Sequence, residues 1–237
     1  AHVPDINGFV SGFAILLKPN GVATFEFPHL LRLINENQFD TIYHEHFSYL
    51  SLIALETVFK KNGLQIFDVE EHTTHGGSLR IFAQRSNTGV FSVSVQVTEL
   101  RKRETDAGMN NSDFYKGFQK KADVVKDSLL NFLIGAKRDG KRVAAYGAAA
   151  KGNTLLNYAG IKPDLLSYVV DKSSSKQNKY MPGSRIPIKA EQYLKDNQPD
   201  YVVVLPWNLK NEVMGQLNYI KENGGKFVIA VPELEII

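Results

Sequence analysis

The chain has 237 residues, 43% of them hydrophobic and 22% charged, which is enough apolar material for one large or two small domains and unlike a disordered or fibrous chain. Its net charge of +3 is scattered with no dense basic stripe, and no apolar run approaches the roughly 20 residues of a membrane span, so neither nucleic acid nor a membrane is an expected partner. The N-terminus lacks the basic and apolar regions of a signal peptide, which makes a cytoplasmic location the default expectation, and the absence of cysteine excludes disulfides and thiolate nucleophiles.

In chain order, Ile6, Phe9, Phe13, Leu16 and Leu17 recur at helical spacing and run out at an Asn-Gly turn. "VATFEFP" follows as a strand stopped by Pro28. "SLIALETVFKKNG" reads as a helix with Ser51 as N-cap, Leu52, Leu55, Val58 and Phe59 on one face, and Gly63 as its stop. "LQIFDVEE" and "LRIFAQRS", joined by "HTTHGGS", predict an antiparallel hairpin. From Ser112 to Ala136, Phe114, Phe118, Val125, Leu129, Phe132 and Leu133 mark a long helix. Then the rhythm changes. "RVAAYG", "LLSYVVD", "DYVVVLP" and "KFVIAVP" are apolar runs bounded by turn residues, the pattern of a parallel sheet covered on both faces.

The stretch "DTIYHEHFSY", Asp40 to Tyr49, holds two of the six histidines with a glutamate and two tyrosines. Read as an extended segment, it puts His44 on the face opposite its neighbours. A metal site fits poorly, because His44, Glu45 and His46 are consecutive and do not converge on one ion without strain. No metal is expected.

The helix, strand, helix and terminal hairpin of the first half, with "FDTIYHEHFSYLS", "HGGSLR" and "YGAAAKG" in order, resemble the sugar C-methyltransferases that act on nucleotide-linked keto-deoxysugars. The resemblance implies an α/β chain. It comprises the second half of a class I methyltransferase fold ending in an antiparallel hairpin (1–110), a long linking helix (111–140), and a small Rossmann-like parallel-sheet domain (141–237) for the nucleotide sugar. In that family a zinc-binding module and the strand, Gly-rich loop and helix that hold the methyl donor come earlier in the chain. Neither is in this sequence, so the resemblance implies S-adenosylmethionine as cofactor of the full-length protein, with none expected to bind tightly to this chain alone. It also implies an unpaired edge on "VATFEFP", and self-association through it.

By motif, the resemblance implies His46 as general base for an α proton, Glu45 as its partner or orienter, and Tyr43 as hydroxyl donor to sugar or enolate. "AHVPD" resembles a stretch in which a histidine, here His2, faces the substrate. In "HGGSLR", Gly76 and Gly77 permit close backbone approach, while His75, Ser78 and Arg80 supply polar groups. "VAAYGAAAKGN" reads as strand, glycine turn and helix start, whose backbone N–H groups and Lys151 suit a phosphate. By resemblance Tyr146, Gly147, Ala148, Lys151 and Asn153 take the substrate's nucleotide diphosphate. Asp171, Tyr180, Pro182, Trp207 and Asn208 follow later strands and are candidates for base or ribose, Trp207 being as consistent with packing as with stacking. Two other readings stay open: a nucleotide- or dinucleotide-binding module without chemistry, and an NAD-dependent oxidoreductase. Against the latter, "YGAAAKG" lacks the G-x-G-x-x-G spacing.

Overall fold

The computed structural model describes residues 1–237. By internal contacts it divides into two units, residues 1–36 with 44–118, and residues 37–43 with 119–237. The residues of the expected linking helix from Gln119 onward group with the second unit. No helix is long and apolar enough to cross a membrane.

In the first unit, α1 (Ile6–Leu16) starts at Asp5, whose carboxylate accepts from the Gly8 N–H, and leads into β1 (Val22–Pro28). A short α2 (Leu30–Asn35) precedes α3 (Leu52–Lys61), and Ser51 caps α3 by accepting from the Ala54 N–H. β2 (Leu64–His72) and β3 (Ser78–Arg85) form the expected antiparallel hairpin. β1 also pairs antiparallel with β3, giving the order β1-β3-β2 with β1 on the edge.

Leu52, Leu55 and Phe59, one face of α3, bury against Phe27, Leu64, Leu79 and Ile81 of the sheet. Along β1 a cleft of about 330 Å³ is lined by His2, Ile6, Phe9, Phe25, Phe27 and Phe59. The region after β3 forms α4 (Val95–Asp106), an element with no clear sequence signal. Its inward side is only Val97, Leu100 and Glu104, too few apolar positions to mark a helical stripe.

The long helix starts later than its periodicity predicts. Ser112–Tyr115 is a 3₁₀ turn and Gly117 has φ +86°, so the helix α5 is Phe118–Arg138. Ala122, Val125, Leu129, Leu133 and Ala136 form its buried stripe.

In the second unit the four apolar runs become parallel strands: β4 (Val143–Tyr146), β5 (Val169–Val170), β7 (Tyr201–Val204) and β8 (Lys226–Ile229), with α6 (Ala150–Tyr158) following β4. Two further short strands complete the sheet, β6 (Ile188–Lys189) and the antiparallel β9 (Glu235–Ile236), both too brief to read from pattern. The remaining helices are α7 (Gln192–Asn197), α8 (Lys210–Gln216) and α9 (Tyr219–Glu222). The strand order is β6-β5-β4-β7-β8-β9. The chain builds outward from β4 to β6, then returns to lay β7 on the other side of β4. That reversal opens a crevice beyond the carboxyl ends of β4 and β7, where open α/β sheets bind ligands.

Candidate functional site

The stretch Asp40 to Tyr49 is not extended. Phe39–Thr41 is a 3₁₀ turn and His44 and Glu45 sit in a second turn, so the expectation that strand alternation sends His44 to the opposite face does not hold. His44 and Glu45 are both exposed, and His46 is half-buried. The division between units falls inside this motif: Tyr43 belongs with residues 37–43 of the second unit, His44 onward with the first.

In the first unit the Ala1 carbonyl accepts from the N–H groups of Phe47 and Ser48, which lays the segment "AHVPD" beside "HEHFSY". His2 consequently stacks on His46, ring centroids 5.0 Å apart at 18°, and Tyr49 meets His46 edge-on at 6.0 Å. Burial holds the Tyr49 phenol above its ordinary value. No cluster of three or more histidine, aspartate or glutamate side chains has a metal-binding arrangement.

The far end of the stretch is pinned by residues with no sequence signal. Leu50 bridges to His29, whose imidazole Nε2 lies 2.8 Å from the buried Glu104 carboxylate. Glu104 also accepts from the N–H groups of Leu52 and Ile53 at the start of α3, at 2.8 and 2.9 Å.

In "HGGSLR" the structure gives most residues intramolecular partners. His75 has φ 56° in a 3₁₀ turn, Thr74–Gly76, and is exposed. Gly77, at φ +118°, lies so close to Arg32 that a Cβ would come within 2.9 Å of it; the close approach this glycine allows is to α2. Ser78 is buried and donates to the Thr74 carbonyl, while Arg80 pairs with Glu26 at 2.7 Å and Glu70 at 3.4 Å.

In the second unit the crevice between β4 and β7 gathers Gly147, Ala148, Lys151, Trp207 and Asn208. Gly147 has φ +95°, and a Cβ there would meet Pro206 at 2.6 Å; Gly152 likewise packs on Leu205. These contacts let the first turn of α6 approach the end of β7. The expectation that the Gly147 turn leaves its N–H groups for a phosphate needs correction at Ala148, whose N–H donates to Asp171 Oδ2 at 2.8 Å. Asp171 accepts from Ser173 N–H and pairs with Lys176 as well, so it organises the turn from within. The N-cap residue of α6, Ala149, makes no side-chain cap hydrogen bond.

Tyr146 is a core residue of β4. Its hydroxyl lies 3.4 Å from Glu191, and burial with Glu191 pushes its phenol up to about 12. Tyr180 and Pro182 are exposed, and the Pro182 carbonyl accepts from Asn157.

A buried aspartate with no sequence signal is held by one of the crevice residues. Asp40 is 0% exposed and its Oδ2 accepts from Trp207 Nε1–H at 2.7 Å, 167 positions along the chain. Its other oxygen has no hydrogen-bond partner. Lys151 Nζ lies 4.4 Å over the Trp207 ring and 3.3 Å from Asn208 Oδ1. Phe39 packs on the ring of Tyr158 from α6 at 5.3 Å. Burial pushes the Asp40 carboxyl up to about 6, outweighing the Trp207 hydrogen bond and the Lys151 charge, and burial likewise holds the Lys151 ammonium below the ordinary lysine value. Both ionised forms are penalised despite their mutual attraction. Trp207 is therefore a polar anchor rather than only a packing residue. The signal that marks it is its being the single tryptophan, placed just after a strand at the switch point.

Comparison with known proteins agrees with this architecture. The family model described as C-methyltransferase C-terminal domain matches residues 73–232, from the hairpin turn to beyond the last parallel strand. A C-methyltransferase, NovU of Streptomyces niveus, is 38% identical over 237 residues, which is 100% of this chain and 56% of that protein. The chain spans little more than half the length of that relative. With the matched region covering every parallel strand of the second unit, the chain belongs to the family of the C-methyltransferase C-terminal domain.

Proposed function

We propose that the full-length protein methylates the carbon next to the ketone of a nucleotide-linked keto-deoxysugar, and that this chain supplies the proton-transfer and substrate-holding groups. The observation that carries the reading is the packing of His46 against His2 and Tyr49: the stretch that the resemblance marks as catalytic meets the histidine of "AHVPD" through its His46 ring. In this reading a nitrogen of His46 takes the α proton, and the electron pair left on carbon moves into an enolate. The Tyr43 hydroxyl donates to the enolate oxygen, Glu45 orients or partners His46, and His2 borders the substrate. The nucleotide diphosphate lies in the crevice between β4 and β7, against the first turn of α6.

The methyl group comes from S-adenosylmethionine in this reading. Residues of this chain do not fit it: the first unit's sheet is wholly antiparallel, with no strand, glycine turn and helix. At the Gly147 turn of the second unit the Ala148 N–H is already held by Asp171. No step here runs through the donor.

The test isolates proton transfer. Full-length protein is incubated with the nucleotide-linked ketosugar in deuterium oxide without methyl donor, and exchange at the α carbon is followed by NMR. His46→Gln slows exchange by about 10²–10⁴-fold, the span of lost general-base catalysis. Exchange at the wild-type rate in that variant refutes the role of His46.

A further inference from the structure

The most unusual polar group of the second unit is one that the proposed chemistry does not use. Asp40 is completely buried, accepts a hydrogen bond from Trp207, and leaves its second oxygen without a partner. An aspartate in that setting costs stability, and an apolar residue would be tolerated better unless the position has another task. Its surroundings point to that task. Asp40 sits at the centre of the 3₁₀ turn Phe39–Thr41, closed by the Thr41 N–H and hydroxyl on the Gln38 carbonyl and by the Ile42 N–H on the Phe39 carbonyl. The Tyr43 N–H donates to the Thr41 carbonyl, so Tyr43 is the next backbone hydrogen-bonded position of the same rigid piece. Asn37 holds the start of that piece by donating to the Lys121 carbonyl of α5.

We propose that Asp40 is a positioning residue for the methyl-transfer reaction, acting through Tyr43. Its hydrogen bond to Trp207 seats the Phe39–Thr41 turn against the mouth of the β4/β7 crevice and thereby fixes where the Tyr43 hydroxyl is presented. The proposal rests on the role given to Tyr43 under the proposed function. It also joins the substrate-holding crevice to the reacting group, because Trp207, which bonds Asp40, carries Lys151 over its ring. Hydrophobic packing alone, Phe39 on Tyr158, restrains the turn along one side only. The directional bond from the indole determines its rotation, and a hydroxyl donor misplaced by about 1 Å costs on the order of 10²-fold in rate.

The experiment is a double-mutant cycle in the full-length protein, reading kcat and KM for the nucleotide-linked ketosugar together with α-proton exchange. Asp40→Ala lowers kcat by about 10- to 100-fold with KM changed by less than about threefold. Asp40→Asn, which keeps an acceptor for Trp207 Nε1–H, recovers most of that loss. Combined with Tyr43→Phe, Asp40→Ala lowers kcat little below the worse single variant, since a misplaced hydroxyl and an absent one are the same defect. Should Asp40→Ala not fold, Trp207→Phe removes the same bond from the other side, and its kcat effect is read in the same cycle against Tyr43→Phe. Wild-type kcat in Asp40→Ala or Trp207→Phe, or losses that multiply with Tyr43→Phe, overturn the positioning role. If Tyr43→Phe itself leaves kcat and exchange unchanged, the assigned role of Tyr43 fails instead, and with it this inference.

Discussion

Glu104→Ala is the substitution whose cost the structure specifies most fully. Glu104, 0% exposed on α4, lies 2.8 Å from His29 Nε2 and accepts from the N–H groups of Leu52 and Ile53. Together with Ser51, which serves Ala54, the carboxylate satisfies three first-turn donors of α3. Alanine strands two of those donors, a cap loss of about 0.5–2 kcal/mol. It also leaves a buried imidazole nitrogen without its partner, about 1–3 kcal/mol, and leaves a small cavity. The sum is about 3–5 kcal/mol, in line with breaking other buried pairs from one side.

For a chain of this size that lowers Tm by about 6–20 °C, at about 2–4 °C per kcal/mol. Amide exchange followed by mass spectrometry on the peptide spanning Leu52–Lys61 locates the damage, with protection falling about 100-fold or more. Glu56→Gln, which weakens a half-exposed bidentate pair with Arg101, is the control at about 0.2–1 kcal/mol. If Glu104→Ala melts within 1 kcal/mol of wild type, or no lower than Glu56→Gln, buried satisfaction is not what holds α4 to α3.

The Asp40 carboxyl, with a folded value of about 6 against an ordinary 3.8, is easier to keep neutral in the folded protein. Its penalty is absent below the unfolded value, grows as pH rises from about 4 to about 6, and is complete above that, reaching ~3 kcal/mol. Relative to Asp40→Asn, wild type therefore loses stability across that window, and parallel denaturation curves for the two at pH 4 and pH 7 refute this. Gly152→Ala would place a Cβ 2.7 Å from that of Leu205 on the backbone side, so a loss of about 1–3 kcal/mol is expected by denaturant titration, and a neutral result shows that α6 shifts freely. A nucleoside diphosphate raises Tm through the crevice, and Lys151→Ala removes most of the rise; a rise that survives in the variant places the phosphate elsewhere.

What the sequence by itself determined is periodic or locally capped. The α3 face of Leu52, Leu55 and Phe59, the Ser51 cap, the hairpin of β2 and β3, and the apolar runs of β4, β7 and β8 all follow from neighbours within a few residues. The crowding of His44, Glu45 and His46 with two tyrosines was legible for the same reason.

Local pattern has no purchase where a residue's partner is far along the chain. α4 carries too few apolar positions to announce itself, yet its Glu104 reaches back 52 positions to Leu52. The start of α5 moves to Phe118 because Gly117 takes a positive φ that periodicity ignores. The turn geometry of His44 and Glu45 replaces an extended strand because the Phe39–Thr41 turn precedes it and the Ala1 carbonyl captures Phe47 and Ser48. Above all, only the tertiary structure decided that Asp40 belongs to the crevice of the parallel sheet. A buried carboxylate is tolerated where a donor meets it, and that donor, the Trp207 indole, arrives only when β7 is laid beside β4.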